Sequence, residues 1–221
     1  MTNEVKYQTF RWGPLVLETK ITSEFVDKLL KQGIKNRRSG KKELDARKHL
    51  EGRIEAELFY EKKDLEELFA PNIKPYVETY LKLIDQWTSV NSFAHLMPHL
   101  SDTDEFNISW SISTAWINFQ KKHEYNPPHN HPCDLSFVVY LDVPKEIAAE
   151  EKTARKAPGG IYFDYGEQMP FSVKSMGRFP KKGDMFLFPG WLRHHVHSFS
   201  SNVERISVSG NIMLGVLKKD P

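Results

Sequence analysis

The sequence predicts a mainly β fold with helices: a double-stranded β-helix, or jelly roll, with N-terminal helices packed on one of its sheets. Two observations carry this. Apolar residues recur at helical spacing in the first half of the chain, and from about residue 105 they alternate at the strand period. The alternating segments are short and closely spaced, as in a double antiparallel sheet, which leaves a cavity between its layers for a ligand. One domain is expected over residues 1–221, with 1–104 as mostly helical support and 105–215 as the jelly-roll catalytic core. A chain of 221 residues holds one sizeable core but not comfortably two.

Taken in order, Ser23 is placed to cap a first helix that carries Phe25, Val26, Leu29 and Leu30 on one face, with Gly33 at its end. The basic run KNRRSGKK, Lys35 to Lys42, reads as a solvated loop, because no interleaved aromatic residues accompany it to make a phosphate-binding patch. From Pro71 to Trp87 the residues Ile73, Val77, Leu81 and Ile84 form the apolar stripe of a second helix, which needs something flat to cover. The segment FNISWSIS then sets Phe106, Ile108, Trp110 and Ile112 against Asn107, Ser109, Ser111 and Ser113, which is strand alternation. Further strands are read in AWINFQ, LSFVVYLDV, GGIYFDY, GDMFLFP and RISVSGNIML. Between two of them PKEIAAEEKTARKAPGG, rich in Ala, Glu and Lys, reads as a solvated excursion with room for a helical turn, the alternative being a lid or partner contact. No internal repeat is present.

Composition narrows the functional classes. A 39% hydrophobic and 12% aromatic content is that of a globular protein. No apolar run approaches the roughly 20 residues that span a bilayer, and the N-terminal MTNEVKYQTFRWG lacks the layout of a signal peptide. With 31 basic and 29 acidic side chains intermixed, the net charge of +2 argues against a domain built mainly to hold nucleic acid. The only cysteine, Cys133, has no partner for an internal disulfide, which suits a reducing cytoplasm. Nothing in the sequence sets an oligomeric state.

Six of the nine histidines fall in two clusters, His123, His129 and His131, then His194, His195 and His197. Residues two apart in an extended segment point the same way, so His129 and His131 can converge on one point, with Pro127, Pro128 and Pro132 holding the backbone extended. The strand from Gly183 to Phe188 enters a Pro-Gly turn, and the returning chain can bring His194 opposite that pair. Three imidazoles with open positions beyond suit Fe, Zn, Ni or Cu by ligand type. The competing reading makes RHHVH a polar edge strand. Farther on, Arg205, Ser207, Ser209 and Asn211 share one strand face while Ile206, Val208 and Ile212 share the other. An arginine facing the cavity there suits a fork-shaped grip on a carboxylate; the structural alternative pairs it with a neighbouring Asp or Glu.

The order of the extended His-x-His, VVYLDVP, GGIYF, PKKGDMFLFP, His194 with Val196, and finally Arg205 with Ser207 resembles the 2-oxoglutarate and Fe(II)-dependent oxygenases. More closely it looks like a branch carrying WxN, HxHP, FPxWLxHxV and ERISxS signatures, and the resemblance covers roughly residues 106–213. It implies Fe(II) held by His129, His131 and His194, with Arg205 and Ser207 on the far carboxylate of 2-oxoglutarate and Asn118 and Tyr140 as further co-substrate contacts. Dioxygen is the second co-substrate. The implied reaction couples oxidative decarboxylation of 2-oxoglutarate to succinate with hydroxylation of a small-molecule or protein side-chain substrate.

One position departs from the family. Most of the superfamily has His-x-Asp or His-x-Glu, whereas His131 stands at the acidic position here. Asp134 is the other candidate carboxylate, but three residues along an extended strand turn it to the wrong face. Two other classes fit parts of the pattern: a cupin-type metalloenzyme that does not use 2-oxoglutarate, and a jelly-roll binding module without catalysis.

Overall fold

The computed structural model describes residues 13–87, 106–151 and 157–218. Its elements in chain order are β1 (Leu17–Lys20), α1 (Ser23–Ser39), β2 (Glu57–Phe59), α2 (Ala70–Trp87), β3 (Phe106–Gln120), β4 (Asn126–His129), β5 (Leu135–Asp142), α3 (Lys145–Glu151), β6 (Ile161–Asp164), β7 (Ser175–Arg178), β8 (Asp184–Pro189), β9 (Arg193–Val196) and β10 (Arg205–Lys218). A six-stranded sheet has the order β1-β8-β5-β10-β3-β2, and a four-stranded sheet the order β4-β9-β6-β7.

From β3 onward the chain passes back and forth between the sheets. β3, β5, β8 and β10 lie in the larger sheet and β4, β6, β7 and β9 in the smaller, which is the winding of a double-stranded β-helix. The sheets do not close into a barrel. β1 and β2 extend the larger sheet at its two edges.

Strand β5 shows why the sequence takes this form. LSFVVYLD is an apolar run rather than an alternating one because both faces are covered. Phe137, Val139 and Leu141 face a core shared with Phe25, Val26 and Leu29 of α1 and Ile73 and Val77 of α2. Val138 and Tyr140 face the other sheet, with Ile161, Phe163, Phe186, Phe188 and Val196. The helices thus lie on the outer face of the larger sheet, and the inner face is left for the cavity.

The structure corrects several boundaries. Thr22, not Ser23, caps α1, its hydroxyl oxygen accepting from the Phe25 N–H at 3.2 Å. The helix runs through Gly33 to Ser39 and ends on Gly40, whose φ of 63° is the left-handed cap. Gly33 is a packing glycine instead: a Cβ there would stand 2.2 Å from Ile117 Cδ1. Lys35 to Ser39 are therefore helical rather than loop, with Asn36 buried and the Arg37 guanidinium paired to Glu204 and lying over Phe119. FNISWSIS and AWINFQ are one strand, β3, with a register shift opposite Asn211 and Ile212.

Of the excursion between β5 and β6, residues 152–156 lie outside the described residues, and the part before them holds the helical turn and more. It forms α3, buries Ile147, and is tied to the following loop by the Glu150 carboxylate, which accepts from the Ser200 and Ser201 N–H groups. Among the described residues no helix is long and apolar enough to cross a membrane.

Candidate metal and co-substrate site

The two sheets contribute different chemistry to the space between them. On the smaller sheet, His129 of β4 is directly opposite His194 of β9, and His194 is opposite Phe163 of β6. His131 lies just beyond β4, held by its N–H donating to the Gly190 carbonyl at 2.8 Å. The three rings pack with centroids 4.3–5.1 Å apart, and one nitrogen from each lies within 4.8 Å of the other two. The sequence pairing of His129 and His131 with a histidine on a returning strand is what the fold brings together.

Each imidazole is prepared for ligation. Burial is the first cause that pushes the His194 pKa down to about 3 and the His131 pKa down to about 4, and it also lowers that of His129, so all three stay neutral at physiological pH. His194 Nδ1 stands 2.9 Å from the Leu192 carbonyl and His129 Nδ1 2.7 Å from the Pro127 carbonyl. A carbonyl oxygen only accepts, so both Nδ1 atoms carry the proton and both Nε2 lone pairs are left for an ion. Phe188 and Trp116 wall the triad, with ring centroids 4.8 Å from His194 and 5.6 Å from His131 respectively.

On the larger sheet, three neighbouring strands place polar groups in a row. Ser207 of β10 is level with Asn118 of β3 on one side and Tyr140 of β5 on the other, and Arg205 is level with Gln120. Arg205 is 3% exposed, yet its partners are neutral: one Nη donates to the Gly159 carbonyl and the other to Gln120 Oε1. Its guanidinium carbon lies 5.1 Å from the centre of the Tyr140 ring. Among the described residues no Asp or Glu pairs with it, so the structural alternative read from the sequence is not what the fold builds.

Side chains from both sheets line one narrow cavity of about 30 Å³, among them the three histidines, Asn118, Tyr140, Arg205, Ser207 and Ser209. Asn118 Oδ1, Asn126 Oδ1, Tyr140 Oη and Arg205 Nε are buried without a hydrogen-bond partner, and all four residues line it. Buried polar groups are normally satisfied. Donors and acceptors left open around one point fit a polar guest, and the three neutral imidazoles fit a divalent metal.

The polar stripe read from the sequence is confirmed for Arg205, Ser207 and Ser209, which face the cavity, while Ile206, Val208 and Ile212 face the helices. Asn211 does not join the lining. Asp134 is turned away as expected, its carboxylate accepting from the Leu214 N–H at 2.7 Å. His195 and His197 point to the opposite side of the smaller sheet, and His123 sits apart in a turn at φ 67°.

Sequence reasoning missed Gln120, Trp116 and Gly159. The first two carried a signal, since strand alternation from Asn118 puts Trp116 and Gln120 on its face. Gly159 carried none, because its contact is a backbone carbonyl 46 residues from Arg205. A larger open groove of about 880 Å³ lies against Ala70, Pro71 and Lys74 of α2 and Trp110 to Ala115 of β3, and no histidine lines it.

Residues 114–211, the stretch that builds this site, match the family model described as "Putative 2OG-Fe(II) oxygenase". The core of the chain is similar to the 2OG-Fe(II) oxygenases. Fe(II), 2-oxoglutarate and dioxygen are the requirements of that family, and the histidine triad is a group able to hold the metal. Among solved structures, a Pseudomonas putida prolyl-4-hydroxylase matches at 14% identity and TM-score 0.49, over 90% of this chain and 91% of that one. A Trichoplax adhaerens prolyl hydroxylase in complex with a hypoxia inducible factor peptide fragment matches at 13% identity and TM-score 0.49, over 94% and 84%. A 2OG-Fe(II) oxygenase family oxidoreductase from Burkholderia pseudomallei matches at 18% identity and TM-score 0.35, over 64% and 59%. No curated protein matches the chain significantly.

Proposed function

We propose that the protein is a non-haem Fe(II) dioxygenase that couples conversion of 2-oxoglutarate to succinate with hydroxylation of a small-molecule or protein side-chain substrate. The observation that carries this is a buried, acid-free guanidinium with an open Nε–H facing three convergent neutral imidazoles in one cavity.

His129, His131 and His194 would hold the iron. When bound, iron supplies activation of dioxygen, of which one atom ends in succinate as 2-oxoglutarate loses carbon dioxide and the other is inserted into a C–H bond of the substrate. The protein's own groups bind and orient. Arg205 provides the cation for the distal carboxylate of the co-substrate, and its planar fork matches the two carboxylate oxygens. Tyr140 offers a phenolic O–H beside it, held protonated because burial raises its pKa. Ser207 supplies a hydroxyl and Asn118 an amide on the neighbouring strand, 3.5 Å apart.

A cavity of about 30 Å³ admits a water-sized guest rather than a five-carbon dicarboxylate. The contacts of Arg205 with Gln120 and Gly159 therefore yield as the co-substrate enters, and its carboxylate takes their place. Val138, Ile161, Phe188 and Val196 keep one side of the cavity apolar, which strengthens charge pairing there.

The test is turnover. Fe(II)-reconstituted protein in air with 2-oxoglutarate releases succinate, at a rate raised by the right substrate. Metal uptake without any 2-oxoglutarate consumption would overturn the proposal in favour of a cupin-type enzyme, and neither metal uptake nor consumption would point to a binding module.

A further inference from the structure

Strand β9 presents His194 to the cavity and His195 to the opposite side, and His197 follows on the same outer side as His195. There His195 lies flat on Tyr162, its level partner on β6, with ring centroids 5.2 Å apart and an interplanar angle of 8°. His197 stacks on the same tyrosine at 4.3 Å and 29°. Both imidazoles are thus fixed by one aromatic ring, and their Nε2 atoms are 3.2 Å apart.

We propose that His195 and His197 form a second metal site, on the outer face of the smaller sheet, that takes a late first-row divalent ion such as Cu²⁺ or Zn²⁺. The spacing supports it. With metal–nitrogen bonds of about 2.0–2.1 Å, the 3.2 Å between the Nε2 atoms subtends roughly 100° at a shared ion. That lies between the square-planar and tetrahedral angles. The rear nitrogen supports it too: His195 Nδ1 is buried without a hydrogen-bond partner, and Asp164 Oδ2, 3.3 Å from it, is a carboxylate close enough to accept from it on a small rotation of the ring. A carboxylate behind a ligating imidazole is the usual arrangement that fixes the tautomer and leaves Nε2 to the metal.

Access and ligand type agree with this reading. His195 and His197 line an open cleft of about 620 Å³ with Tyr125, Asn126 and Glu150, through which an ion can reach the pair. A pair of imidazole ligands favours Cu²⁺ most strongly by the general order of divalent affinities. The pair lies across β9 from His194 and does not depend on the iron assignment.

The test is the number of Cu²⁺ ions bound by the full chain in equilibrium dialysis with elemental analysis, read alongside the visible absorption of the bound ion. Wild type is expected to bind one ion more than either His195→Ala or His197→Gln, and His194→Ala is expected to keep the ion that those variants lose. Two single variants with circular dichroism equal to wild type guard against a folding defect in one. An unchanged ion count in both would overturn the proposal and leave the pair as a hydrogen-bonded stack. Loss of every ion in His194→Ala would overturn it as well. If wild type binds a single ion that only the His195 and His197 variants lose, this site stands while the central triad fails.

Discussion

His131 occupies the position at which most members of the superfamily that the sequence resembles carry a carboxylate, and among the described residues no acid joins the triad. Asp134 is bound to the β10 backbone at Leu214, so the triad consists of three neutral imidazoles. A site without the carboxylate is one unit more positive when it holds a divalent ion. His131→Asp is therefore expected to keep or tighten Fe(II) binding, since it restores the two-histidine, one-carboxylate set. His129→Ala and His194→Ala are expected to lose stoichiometric iron, and His195→Ala to retain it; elemental analysis after anaerobic loading reads all four. Equal affinity in wild type, His131→Asp and His131→Ala would show that His131 is not a ligand. Ligands of this kind are legible in sequence because strand alternation and a turn fix where side chains point. The partners that orient His194 and His129 are the backbone carbonyls of Leu192 and Pro127, and that of Arg205 is the Gly159 carbonyl; any residue supplies a carbonyl, and so they left no mark.

At the scale of elements, the turn between β8 and β9 is strapped to the segment that carries His131. Gly190 accepts from the His131 N–H and donates its own N–H to the Asp134 carbonyl, at 2.8 and 2.9 Å. A Cβ at residue 190 would stand 2.2 Å from the Cys133 carbonyl oxygen and 2.6 Å from its Sγ. Backbone cannot retreat as a flexible side-chain tip can. Gly190→Ala is therefore expected to cost roughly 1–3 kcal/mol of stability and to weaken metal binding by displacing His131, while His194 keeps its place. A thermal melt and an Fe(II) titration check it; a variant matching wild type in both would contradict the strap. Glycine also explains the misplaced end of α1. Gly33 and Gly40 look alike in sequence, but one is needed for the close approach of Ile117 and the other for a positive φ, and only the contact across the core tells them apart. The strands themselves were legible wherever one face was buried. The short edge strands β1, β2, β4 and β7 were not, because pairing rather than periodicity defines them.

Across the whole molecule, the larger sheet is covered by helices on one face and by the smaller sheet on the other, and the pH dependence of this arrangement has an identifiable source. Glu57, on edge strand β2, is 1% exposed with Oε2 unpartnered. Burial first, then the Glu124 charge, raises its pKa from 4.5 to about 7. A carboxyl with a raised folded-state pKa gives its full stabilisation below the unfolded value, and this is lost as pH rises from about 4.5 through 7. The loss is at most about 1.4 kcal/mol per pH unit across that window. The cavity histidines act oppositely: their lowered pKa values give stability that is present above about 6.5 and lost on acidification. The comparison is therefore with Glu57→Gln, whose melting temperature relative to wild type is expected to rise between pH 5 and pH 8. A constant difference would show that the Glu57 carboxyl titrates normally.

In the proposed function the histidines of the smaller sheet and Arg205 of the larger one serve a single cavity that holds metal and 2-oxoglutarate together. The most direct test of this is an anaerobic titration of 2-oxoglutarate into Fe(II)-loaded wild type, Arg205→Ala and Arg205→Lys, followed by visible charge-transfer absorption and by calorimetry. Removing the guanidinium leaves a buried carboxylate unpaired, a loss of roughly 2–5 kcal/mol. Arg205→Ala should therefore weaken binding by about 30-fold or more at unchanged iron content. Arg205→Lys should recover only part of that, because an ammonium does not reproduce the fork. Equal affinity in all three proteins would show that Arg205 does not hold 2-oxoglutarate.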